Sequence, residues 1–470
     1  MKSRLPLFLA LALACASPAL ASSPDFERAS ALLNAGKVQE AVNALETAVA
    51  RDQNDIEALL ALSYIYLESG MAQAALAQAD AAVRVAPDNT NALLARARIH
   101  QLTGDLKKAR ADLDRVLAKA PNAPALHVRG FVNAAEKDID AALADFQAAH
   151  ALDPAEVAYA YAIGLAFNDL ARPTEALAAF ELALSIAPDS EDAGRERAAA
   201  LVRLGRTQDA LDAYKALVKA HPDSTTIRLR LAATYSLAGD NARALAGYTE
   251  VTRRDPKSMD AWWGRAEILD SMGRTKEALQ SYDRAVSLDP ANTTLLAERG
   301  FSRYFAGDTA QAFVDLNAAV KIDPKSSQAL ATRGYVFWSE GQLEKALADY
   351  DAAVEADPAN VFALASRAET LLDLGKFDRA LRDMSIVIKA DPHPDYYRFQ
   401  GEIYAKMGDH LSATEAFDRA IALAPEDAEA LFRRSRSKLE LGDQAGADID
   451  RAQALKLNPK VEAQIAEAEA

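Results

Sequence analysis

The chain has 470 residues, half of them apolar and a quarter charged, and its 68 acidic against 53 basic side chains give a net charge of −15. That balance argues against a nucleic-acid binder and against adhesion to anionic lipid, because both rely on clustered Lys and Arg. The apolar fraction excludes a disordered chain, and one cysteine excludes a disulfide framework.

Met1 to Arg4 is a short basic start, Leu5 to Ala14 is an apolar run too short to span a bilayer, and Ala19-Leu20-Ala21 fits the small-x-small rule for signal peptidase. The expected signal peptide is therefore 1–21, with a mature chain from Ser22 that has no later segment of transmembrane length. Cys15 follows Ala12-Leu13-Ala14, which loosely resembles a lipoprotein cleavage box, so a lipid anchor at Cys15 is the alternative. Loss of Lys2 and Arg4 leaves 51 basic against 68 acidic groups and takes the net charge to −17. An exported, cysteine-free chain of this kind suits a bacterial periplasm, or secretion, better than a disulfide-rich secretory route.

Beyond the leader the chain repeats itself. Prolines fall at 87, 121, 154, 188, 222, 256, 290, 324, 358, 392, 425 and 459, every gap being 34 residues except two of 33. Stepping back one period places Gln53 in phase, which gives thirteen repeats over 22–461. Numbered so that the proline stands at slot 32, every repeat has Ala at slot 20, from Ala41 to Ala447, and Gly, Ala or Ser at slot 8. Slot 15 is Gly in eleven of thirteen, so each repeat reads as two antiparallel helices with a left-handed turn between them and a proline closing the second. The small residues mark close helix approach, and Trp262, Leu330, Tyr282 and Phe417 fill the flanking gaps.

Six repeats pair an Arg at slot 7 with an Asp at slot 23: Arg96 and Asp112, Arg129 and Asp145, Arg299 and Asp315, Arg333 and Asp349, Arg367 and Asp383, Arg434 and Asp450. A partly buried bidentate bridge between the two helices of a repeat is expected, not a basic stripe for polyanions. Lys137 and Ala171 replace the turn glycine in repeats four and five, and Gly194 occupies a slot where most repeats carry a large residue. Packing is expected to be weakest around 157–224, where a bend or hinge is one reading.

Repeat eight carries Trp262, Ala266, Gly273, Ala278, Tyr282, Ala285 and Pro290 in order, and with this pattern the mature chain resembles a tetratricopeptide repeat array of exported bacterial type. The resemblance implies an all-α, right-handed superhelical solenoid of helix-turn-helix repeats, whose first helices present slots 5, 9 and 12 to a concave groove. In repeats eight to ten those slots and their neighbours bring Trp263, Glu267 and Asp270, then Phe301, Tyr304 and Phe305, then Tyr335 and Trp338. Exposed aromatics at that density point to a contact surface, with Phe301 and Phe305 the two best suited to core packing instead.

After Pro459, residues 462–470 form a short polar cap or tail with Ile465 four residues after Val461. No nucleophile elbow, zinc motif, phosphate loop or C-x-x-C occurs, and His100 stands at a core slot, so no catalytic residue, cofactor or metal is expected. The function expected is that of a non-catalytic adaptor of the cell envelope that grips a peptide or helix of a protein partner, with Glu267 and Asp270 choosing a basic side chain. Polysaccharide binding, a role in secretion and noncovalent control of an envelope hydrolase are the alternatives.

Overall fold

The computed structural model describes residues 24–468, so the leader at 1–21, its cleavage site and Cys15 lie outside the described residues. Among the described residues there are 27 helices and no strand. The first repeat supplies α1 (Pro24–Asn34) and α2 (Val38–Arg51), and each later repeat adds one pair in the same way. The thirteenth supplies α25 (Ala428–Glu440) and α26 (Gln444–Leu457), and α27 (Val461–Ala468) follows.

Side chains written into the repeat start and stop these helices. Asp55, Asn89, Ser258 and Asn360 each close the first turn of a first helix by accepting a backbone N–H three residues on. Between the helices of a repeat the turn residue has positive φ at all eleven glycines, and Lys137 and Ala171 keep that same conformation, with φ of 67° and 55°. The turn is therefore dictated by the packing of the two helices, and these two residues adopt it against their own preference.

Inside a repeat, slot 8 faces slot 24. A Cβ on Gly164 would lie 2.4 Å from the Phe180 ring, and one on Gly401 would lie 2.7 Å from Phe417, so the missing side chain is what seats the aromatic ring. At Gly194 the gap expected from the sequence is filled by Leu217, whose Cδ2 comes within 2.7 Å of where a Cβ would stand. Fully buried Leu45, Leu62, Leu93 and Leu113 are each worth about 2 kcal/mol of burial. At the C-terminal end Val461 and Ile465 of α27 pack on Leu431, Phe432 and Ala454.

All six Arg–Asp pairs form bidentate bridges, with Nε and Nη2 donating to the two carboxylate oxygens at 2.7–2.9 Å. The same guanidinium groups also reach backwards. Nη1 of Arg96, Arg299, Arg367 and Arg434 donates to Asp80, Asp283, Asp351 and Asp418 of the preceding repeat, and Arg333 does so to Asn317. One side chain thus ties two helices of its own repeat and the repeat before it.

The described chain divides into two compact halves, 24–238 and 239–468. The division falls in the turn at Ala238 and Gly239, beyond the 157–224 stretch where the pattern departs most.

Candidate functional site

In the C-terminal half the first helices of repeats eight to eleven are α15 (Met259–Ser271), α17 (Thr293–Phe305), α19 (Ser327–Ser339) and α21 (Val361–Asp373). Gly300 and Gly334 at slot 8 draw α17 and α19 onto the second helix of their own repeats. Slot 9 points well away from that contact, and slot 12, one turn on from slot 8, sits at its edge. α17 packs on α19, and α19 on α21.

Six rings meet on this succession. Phe301 and Phe305, one turn apart on α17, meet edge to face with centroids 4.7 Å apart. Tyr335 of α19 is the hub, 5.5 Å from Phe301, 6.2 Å from Tyr304 and Phe305, 6.0 Å from Trp338 and 6.3 Å from Phe362 of α21. Ring contacts of this kind, edge-to-face at Phe301 and Tyr304 and tilted at Trp338 and Phe362, add roughly 0.5–1.5 kcal/mol each and fix the rings against one another. Their outer surfaces remain open: Phe305 is 60% and Phe362 45% exposed, and the other four are half-buried.

Carboxylates anchor the two tryptophans. Trp263 Nε1 donates to Glu298 at 2.6 Å, and Trp338 Nε1 donates to Asp373 at 2.8 Å. In both cases the acceptor stands 35 residues on, one period plus one. Burial, opposed by the Trp263 bond and reinforced by the charge of Glu267, holds the Glu298 carboxyl up at about 7. Burial also raises Glu267 and Asp270, the latter accepting from Ser302 Oγ at 3.2 Å. Glu369 of α21 is raised by burial and then by the negative Asp373 and Glu402. Glu267 and Glu369 keep open surface, yet protein on several sides thins the water around them.

The structure therefore joins Phe301, Tyr304, Phe305, Tyr335 and Trp338 into one ring cluster and places Trp263, Glu267 and Asp270 on the adjoining helix. Phe305 corrects an expectation: it is not core but the most open ring, because slot 13 lies at the end of α17 where no helix covers it. Glu298, Phe362, Glu369 and Asp373 escaped sequence reasoning. Glu369 stands at slot 9 and was legible by the rule that found Tyr335, whereas the other three lie at slots 6, 2 and 13.

A second site also escaped it. The N-terminal half holds a concavity of about 410 Å³ with a largely apolar lining. Slots 5, 9 and 12 of repeats one to four supply eleven lining residues out of a possible twelve, among them Phe26, Leu60, Tyr64, Leu94, Arg98 and Phe131. His127 is at its wall, with ring centroids 4.9 Å from Phe131 and Tyr159 and 5.7 Å from Phe146. Burial and the charge of Arg98 lower this imidazole to about 4, so it is neutral at pH 7. His100 is buried, as its core slot requires. Among the described residues no group of His, Cys, Asp and Glu could hold a metal ion, and no helix is long and apolar enough to cross a membrane.

Family models described as "Tetratricopeptide repeat" match residues 26–79, 60–124, 134–191, 237–293, 299–361, 366–428 and 400–462, and a second of the same description matches 201–264. Solved structures are similar in fold. The APC/C hetero-tetramer Cut9-Hcn1 aligns at 14% identity over 87% of this chain and 95% of that one, with a TM-score of 0.47. Yeast Tom70 aligns at 16% identity over 97% and 99%, TM-score 0.47. A tetratricopeptide repeat protein from Parabacteroides merdae ATCC 43184 aligns at 19% identity over 53% and 98%, TM-score 0.43. No curated protein matches the sequence.

Proposed function

The chain belongs to the tetratricopeptide repeat family, whose solenoids mediate protein–protein interaction and are typically non-catalytic scaffolds, and from that premise we propose that it is an adaptor of the bacterial cell envelope. The aromatic face of repeats eight to eleven grips an extended peptide or a helix of a protein partner. One observation carries this reading: the slots that line the N-terminal concavity bear, in repeats nine and ten, the half-open rings of Phe301, Tyr304, Tyr335 and Trp338. Rigid, partly exposed Tyr and Trp are the side chains that dominate binding energy at protein interfaces, and here they are held in place before any partner arrives. The envelope setting is supported by the basic, apolar and small-residue order of residues 1–21.

The test is affinity capture from an envelope extract with the exported protein and with Trp263→Ala/Trp338→Ala. A partner that the face holds should be lost from the double variant, at a cost of roughly 2 kcal/mol or more, while far-ultraviolet circular dichroism stays the same. Equal capture by both rejects the face. Displacement by soluble glycans in place of peptides would make the ligand a polysaccharide. Amino-terminal sequencing of the exported protein should begin at Ser22; retention of residues 1–21, or acylation at Cys15, would reject the periplasmic form.

A further inference from the structure

We propose that this aromatic patch is bracketed by two acidic poles, and that its ligand is a peptide segment with an apolar or aromatic middle flanked on both sides by Lys or Arg. The proposal rests on the reading of the patch as a docking face and adds the chemistry of what docks there. One pole is Glu298 on α17 with Glu267 and Asp270 on α15, and the other is Glu369 with Asp373 on α21. The rings of Phe301, Tyr335 and Phe362 run from α17 through α19 to α21 between them.

The charge pattern selects the occupant. Elsewhere this chain meets a buried carboxylate with a guanidinium group: Asp112, Asp315, Asp349, Asp383 and Asp450 each receive a bidentate Arg. At the poles the charges acting on Glu298 and Glu369 are negative, Glu267 on the first and Asp373 with Glu402 on the second, although Arg433 bridges Glu402 at 2.8 Å. The hydrogen bonds that Glu298, Asp270 and Asp373 accept come from Trp263, Tyr282, Ser302 and Trp338, which are neutral. Carboxylates crowded by protein and by one another gain most from a cation brought to them, and neutral donors alone do not supply one. An acidic segment would meet repulsion at both ends.

The fold also sets a length. Neighbouring packed helices lie roughly 8–10 Å apart, so α17 to α21 is roughly 20 Å. An extended chain crosses that in about six residues, at about 3.3 Å each. A helix needs about thirteen.

Fluorescence anisotropy with the full chain and labelled synthetic peptides decides it. The probe is Lys-Arg-Ala-Leu-Phe-Leu-Ala-Lys-Arg, compared with forms in which one end, the other end or both are Gln-Gln, and one with Glu-Glu at both ends. Each basic end should tighten binding about fivefold, and the gain should shrink as salt rises. Glu267→Gln/Glu298→Gln should erase the gain from one end, and Glu369→Gln/Asp373→Asn the gain from the other. Trp338→Ala should weaken every peptide. If basic-ended and Gln-ended peptides bind within twofold while Trp338→Ala still weakens both, the poles are wrong and the docking face stands. Binding that ignores Trp338→Ala, tightest binding by the Glu-ended peptide, or no binding by any of them overturns the proposal.

Discussion

Glu298→Gln isolates the electrostatic character of the aromatic face. The carboxyl is raised from an ordinary 4.5 to about 7, chiefly by burial. At about 1.4 kcal/mol for each tenfold change in proton affinity, ionising it in the folded chain costs up to about 3 kcal/mol. Below pH 4.5 both folded and unfolded chains hold the proton and the cost is absent. Between pH 4.5 and 7 the unfolded chain releases its proton first, so stability falls as pH rises; above 7 the loss is complete and constant. Glutamine cannot ionise but still accepts from Trp263. The variant should therefore match the native chain at pH 4.5 and exceed it by up to about 3 kcal/mol at pH 8. Urea unfolding followed by tryptophan emission suits the measurement, because Trp262, Trp263 and Trp338 all lie in the C-terminal half. Stability profiles that run parallel from pH 4.5 to 8 would show that burial does not hold the proton on Glu298. The same variant should lose affinity for a basic-ended peptide, so its binding defect is not explained by unfolding.

Other predictions concern the scaffold. Lys137→Gly and Ala171→Gly relieve a left-handed turn conformation and should each stabilise by about 1 kcal/mol in thermal or urea unfolding; destabilisation would mean the side chains make contacts that outweigh the strain. Asp315→Ala leaves Arg299 and Arg303, both of which donate to it at 2.7–2.9 Å, with only the exposed Asp283 as a carboxylate partner, and should cost about 3 kcal/mol in the unfolding of the C-terminal half. Gly164→Ala pushes against Phe180 and should cost about 1–3 kcal/mol. A Gly164→Ala protein with native stability would show that the ring has room to move.

Features that depend only on distance along the chain were legible in the amino-acid sequence. Period, proline, turn glycine, capping side chain and the slot-8 to slot-24 pairing act within one repeat, so their spacing is their geometry. The Arg–Asp bridges were legible for that reason, sixteen residues apart within a repeat. The aromatic slots were legible too, because a 3.6-residue period assigns faces on each helix.

Tertiary structure decided what meets across the seam between repeats. Arg96 also takes Asp80, sixteen residues before it, because the preceding second helix lies against its own first helix. Trp263 selects Glu298 and not Glu267, since the nearest acceptor belongs to the next repeat. Phe305 stays open because no helix covers the end of α17, and Phe362, whose slot 2 shares a helix face with slots 5 and 9, completes the ring cluster only because its repeat stacks against Tyr335. The stacking of one repeat on the next is set by side-chain volumes summed over a whole seam, and no single spacing in the sequence encodes that sum.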